Sequence, residues 1–130
     1  MSLAQRISDL ATRLGNELKT RIGANHPGVA QAWVSFGWNN NQLVIGAAYN
    51  VAQVTRLAVG KYRISFTTAL ADANYCWLAF ARSPGNSGTV RTALARLTAD
   101  AKTAQYVEVV CATANYALAD SNEVNLIVYR

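Results

Sequence analysis

The chain has 130 residues and a mass of 14.0 kDa, 52% hydrophobic and 15% charged, which suits one domain with its own core. That composition excludes disorder, and two Pro with eight Gly exclude a fibrous repeat. Twelve Lys and Arg against seven Asp and Glu give +5, spread along the chain without the basic cluster that grips a phosphate backbone, so nucleic acid is not an expected partner.

Residues 2–22 predict a helix. Leu3, Ile7, Leu10, Leu14 and Leu18 recur at helical spacing, with Ile22 one turn further, and polar or charged side chains fill most positions between them. Ser2 is placed to cap the start, and Gly23 suits the left-handed conformation that ends a helix. A lone amphipathic helix of this length is marginal in water. The stripe therefore needs a partner, either the protein's own sheet or copies of the same helix in other chains. Leu3 to Leu14 keeps a heptad spacing suited to a coiled-coil seam, which favours self-association. The wider step to Leu18 relaxes the supercoil locally, and mixed Ile and Leu do not choose between two and three strands.

Residues 23–28 read as a hinge, because Pro27 removes a donor and pushes His26 out of the helical region. From residue 29 to 130 the period changes to 2. Val34, Phe36 and Trp38 alternate with Trp33, Ser35 and Gly37, and Asn39, Asn40 and Asn41 make a polar turn. Leu43, Ile45, Ala47 and Tyr49 alternate again. A strand around 54–59 pairs with 61–67 across Gly60, where Tyr62, Ile64 and Phe66 share one face. Residues 74–82 are apolar on both faces, which predicts a strand that is central or lies under a neighbouring subunit. Residues 83–88 are a loop by composition, 91–98 are read as a strand rather than a helix, and 106–113 and 123–129 close the chain as strands. About eight short strands with regular turn signals predict a mainly β protein, an antiparallel β-sandwich preceded by one helix.

Ala32-Trp33-Val34 with Phe36, then Ala48-Tyr49-Asn50-Val51, Gly60, Tyr62, Ile64 and Phe66-Thr67-Thr68, and Asp72-Ala73-Asn74-Tyr75 follow one another in a distinctive order. This stretch resembles a pattern near the C-termini of bacteriophage tail-fibre proteins, and the alternating strands at 106–113 and 124–129 are similar to that family's last strands. The resemblance implies a virion protein made in the host cytoplasm, on the exterior of tail or capsid. It implies a homotrimeric β module that ends a fibre or spike and binds a host-surface receptor or glycan, with the N-terminal helix docking on another virion protein. A capsid decoration or baseplate assembly protein with a purely structural role is the alternative.

The residues offer little chemistry beyond binding. No apolar run approaches the roughly 20 residues of a membrane span, and Gln5, Arg6, Asp9 and Arg13 interrupt the opening segment before it can act as a secretory signal. Cys76 and Cys111 are too few for a disulfide scaffold and read as buried free thiols in a chain made in a reducing compartment. His26 has no recognisable nucleophile partner, and one His with two distant Cys makes no metal site. A glycan-cleaving spike needs two carboxylates flanking the bond. No pair is selected among Asp72, Asp100, Glu108, Asp120 and Glu123, and the three Asp sit in turn contexts where they bond their own backbone. The chain is therefore read as a non-enzyme without cofactor or metal. Two sets of residues carry the expected function. Leu3, Ile7, Leu10, Leu14, Leu18 and Ile22 would hold the oligomer, while Trp38 with Asn39, Asn40 and Asn41 would offer an aromatic face and amides to a surface sugar.

Overall fold

The structure is a computed structural model that describes residues 1–21, 23, 26–83 and 89–130. It is mainly β, with eight strands in two antiparallel sheets and one N-terminal helix, α1 (Leu3–Arg21). The start of α1 is a reciprocal capping box. Ser2 Oγ accepts from the Gln5 N–H at 3.2 Å, and Gln5 Oε1 accepts from the Ser2 N–H at 3.2 Å. Beyond α1, the Gly23 carbonyl accepts from the His26 N–H at 2.9 Å. His26 is a loop residue whose Nδ1 accepts from the Gly28 N–H at 3.0 Å. Ile22, two of the hinge positions (24 and 25) and the loop at 84–88 lie outside the described residues.

One sheet has the order β2-β1-β8-β5, formed by β1 (Ala30–Asn39), β2 (Gln42–Tyr49), β5 (Cys76–Arg82) and β8 (Glu123–Tyr129). The other has the order β3-β4-β7-β6, formed by β3 (Val51–Ala58), β4 (Lys61–Phe66), β6 (Arg91–Leu94) and β7 (Tyr106–Thr113). The core lies between them. Val34 and Phe36, Tyr62 and Ile64, Val107 and Val109, and Val124, Leu126 and Val128 supply alternate residues from β1, β4, β7 and β8, as a period of 2 requires. Phe36 meets Tyr62 edge-on at 5.1 Å, and Phe66 meets Tyr75 in the same way at 5.9 Å, a geometry that sets the positive ring edge on the negative face.

Turn chemistry closes both ends of the sandwich. Asn40 and Asn41 have φ of 49° and 61°, so β1 and β2 are joined by a two-residue turn of the kind that needs left-handed residues. Gly60 has φ 66°, and a Cβ there would lie 2.7 Å from both Ala119 N and Cys111 O. At Gly37 the backbone of β1 runs so close to Asn122 that a Cβ would collide with its carbonyl group. At the opposite end, where the chain enters β1, Asn50 (φ 52°) ties three segments together. Its Nδ2 donates to Gln31 O at 3.0 Å and Thr68 O at 3.1 Å, and its Oδ1 accepts from the Thr68 N–H at 2.7 Å.

The strand assignments at 91–98 and elsewhere hold in outline, with β6 shortened to four residues. Two expectations are corrected. Of the two places expected for the strand at 74–82, the central one is excluded: β5 is the edge of its sheet, with Trp77, Ala79 and Ala81 packed on the core and Leu78 and Phe80 exposed. In β2 the four alternating residues do not share a face. The pairing steps from Ser35↔Ala47 to Phe36↔Ile45, so Gly46 is an extra residue that reverses which way the side chains on either side of it point.

Candidate functional site

The stripe on α1 is the first candidate surface. Leu3, Ile7, Leu10, Leu14 and Leu18 are 54–74% exposed, and no residue of the helix is buried. The capping box and the 3.6 period build this helix, yet among the described residues of the chain nothing covers its apolar side.

The second candidate is the end of the sandwich farthest from the entry into β1. The β1–β2 turn, the β3–β4 turn at Gly60 and the segment after β7 gather there, because β1, β3 and β7 all run toward that end. Trp38 is half-buried against the core, and its ring face is already occupied, since the Arg56 guanidinium carbon lies 4.3 Å from the ring centroid. Asn39 Nδ2 donates to Asn122 O at 3.4 Å. Asn40 and Asn41 are exposed and take up the left-handed turn. The four residues predicted as a binding surface therefore sit together, but two of them have structural partners.

Asp120 organises this end, and the sequence did not single it out for that. One carboxylate accepts from Arg56 Nε at 3.0 Å and Nη2 at 2.7 Å, from the Gly60 N–H at 2.9 Å and from the buried Tyr62 hydroxyl at 2.6 Å. This corrects the expectation that it bonds its own backbone; its partners lie about sixty residues away because the turns meet in space. Arg56, working against burial and helped by the Tyr62 hydroxyl and the Gly60 N–H, pushes the Asp120 carboxyl down to about 2. Burial and then Asp120 hold the Tyr62 phenol well above its ordinary value. On the same end Tyr116 stands 79% exposed with a left-handed φ of 61°, uncommon for a bulky side chain.

A second charge cluster covers the outer face of β4 and β7. Lys61 Nζ lies 3.3 Å from Asp100 and 3.1 Å from Glu108; Arg63 reaches Glu108 at 2.7 Å and Arg96 reaches Asp100 at 2.7 Å. Asp100 also accepts from the Arg96 N–H at 2.7 Å, within the turn that the sequence suggested. Arg96, against burial and with Lys61, pushes the Asp100 carboxyl to about 2. Burial raises Glu108, but the Ala101 N–H, Arg63 and Lys61 outweigh it and leave the carboxyl below its ordinary value. The two carboxylates that the fold brings together are thus both held ionised, whereas a glycosidase acid needs a raised pKa. Asp72 likewise lies below its ordinary value beside Arg130 and accepts from the Asn74 N–H at 2.7 Å.

These shifts predict a specific acid response. A carboxyl whose folded pKa is depressed adds stability that is whole above its unfolded value, near 3.8, and is lost as pH falls toward about 2. Asp100 and Asp120 each contribute about 2 kcal/mol by this route. Urea unfolding midpoints are expected to be level from pH 7 to 5 and to fall steeply between pH 4 and 2. A midpoint that stays level to pH 2 would contradict the ion-pair assignment.

The two thiols differ. Cys111 is fully buried on β7, where burial pushes its thiol up to about 12, while Cys76 is exposed on β5, against the expectation that both are buried. Both are free, on strands of different sheets. Among the described residues no three His, Cys, Asp or Glu side chains converge as a metal site, and no helix is long and apolar enough to cross a membrane. Comparison with protein-family models, curated proteins and solved structures finds no match to this chain.

Proposed function

We propose that the chain is a homotrimeric virion module, the tip of a bacteriophage tail fibre or spike that binds a host-surface receptor or glycan and docks on another virion protein through α1. The observation that carries this reading is the uncovered stripe of α1, preceding a sandwich that already has its own core. A helix that its own domain does not cover calls for copies of itself, since each leucine left in water forgoes roughly 1.5–3 kcal/mol. The number three and the virion setting come from the sequence resemblance. The far end of the sandwich, with Asn40, Asn41 and Tyr116 exposed, is the surface that such a tip would present.

A purely structural role, as a capsid decoration or baseplate component, is the second reading. It is favoured by Arg56 stacked on Trp38, which takes the ring face a sugar would use. Sedimentation of the purified chain is expected to give three times 14.0 kDa, and a 14.0 kDa species at micromolar concentration would overturn self-assembly. Gold-labelled antibody is expected at the tail end of virions. Labelling of the capsid faces would overturn the tip reading in favour of the second.

A further inference from the structure

The two outer faces of the sandwich differ. That of the β3-β4-β7-β6 sheet carries the charge cluster of Lys61, Arg63, Asp100 and Glu108. Among the described residues the β2-β1-β8-β5 sheet has no such cluster on its outer face. Its pairings align Tyr49, Trp33, Ile127 and Leu78 in one row across all four strands, with Phe80 in the next row and Val44 near the far end. The charged side chains that β5 and β8 place on this face, Arg82 and Glu123, neutralise one another at 2.7 Å. A shallow apolar groove runs between Trp33, Leu78, Phe80 and Ile127.

We infer that this face is where the β domains of neighbouring copies of the chain meet. The exposed fractions of Trp33 (38%), Val44 (46%), Tyr49 (53%), Leu78 (50%) and Phe80 (70%) are high. They leave on the order of 500 Å² of apolar surface in water, at the upper end of what a monomer shows and more than half of the ~800 Å² per partner of a standard interface. An apolar face with its charges internally paired suits a second copy of itself, because contacts between identical subunits are the more apolar class. Chain order points the same way. Residues 22–29 are the only link between α1 and β1, eight residues that span at most about 28 Å. They lead into a central strand of this sheet, so helices joined in a bundle hold these sheets at millimolar effective concentration.

The inference rests on the self-assembly part of the proposed function, and Cys76 separates the two. Cys76 lies on the same outward side of β5 as Leu78 and Phe80 and is exposed, while Cys111 is buried and serves as the silent control. Alkylation of the full chain by a polyethylene-glycol maleimide is followed by mass, beside sedimentation. In the assembled wild type, Cys76 is expected to react at least tenfold more slowly than in the Phe80→Glu variant, which keeps its assembled mass through α1. Gln53→Glu, an exposed position on the other sheet, is expected to react as the wild type does. Equal Cys76 rates in an assembled wild type and an assembled Phe80→Glu would overturn this interface and leave self-assembly standing. A wild type that sediments as a single chain would overturn both.

Discussion

Replacing Asp120 with Ala is expected to lower unfolding free energy by about 2–3 kcal/mol, less than the ~3–5 kcal/mol for a fully buried ion pair, because this pair is half-buried. The change leaves the Arg56 guanidinium without its bidentate acceptor and strands the buried Tyr62 hydroxyl. It also takes the acceptor from the Gly60 N–H, in a turn too tight for any other residue. An unsatisfied buried donor carries its whole desolvation penalty, about 1–3 kcal/mol. Against a total of about 5–15 kcal/mol for an ordinary domain, the loss is large. Asp120→Asn keeps an acceptor oxygen for Tyr62 and Gly60 and is expected to lose about half as much. Urea unfolding followed by tryptophan fluorescence reads both variants, and a change below about 1 kcal/mol for Asp120→Ala would show that the network adds little. Loss of this carboxylate also frees Arg56 from its place over Trp38, so amide exchange at the β1–β2 turn is expected to quicken.

Substituting Ile7 and Leu14 together with Asp is expected to convert the assembly to single chains of 14.0 kDa. Both positions lie on the uncovered stripe of α1, and in any bundle the variant would bury unpaired charge, which is far costlier than the apolar burial it replaces. Helical circular dichroism should fall as well, since a solitary helix of 19 residues that contains Gly15 is marginal in water. The thermal transition of the sandwich should keep its cooperativity, because no residue of α1 is buried against it. A double variant that retains its mass would place the holding contacts elsewhere, with the outer face of the β2-β1-β8-β5 sheet the first to examine.

Features that depend on near neighbours along the chain were legible in the order of residues alone. The helix, its Ser2 cap, its apolar stripe and the turn at Asn40 and Asn41 follow from spacings of a few residues and from local backbone preference. The change of period after residue 28 and the count of eight strands follow in the same way, and together they imply a sandwich. Which strands are edges emerged with the packed sheets, because pairing order is a property of distant segments. Residues 74–82 are apolar on both sides whether they lie in the middle of a sheet or at its rim. The extra residue at Gly46 reverses side-chain direction along β2, and an alternating pattern does not reveal it until the partner strand is in register. The charge partners were hidden for the same reason. Arg56 and Asp120 are 64 positions apart, and Arg63 and Glu108 are 45. Such pairs form because the strands that carry them are packed side by side or close the same end of the sandwich, and no local pattern of residues records that proximity.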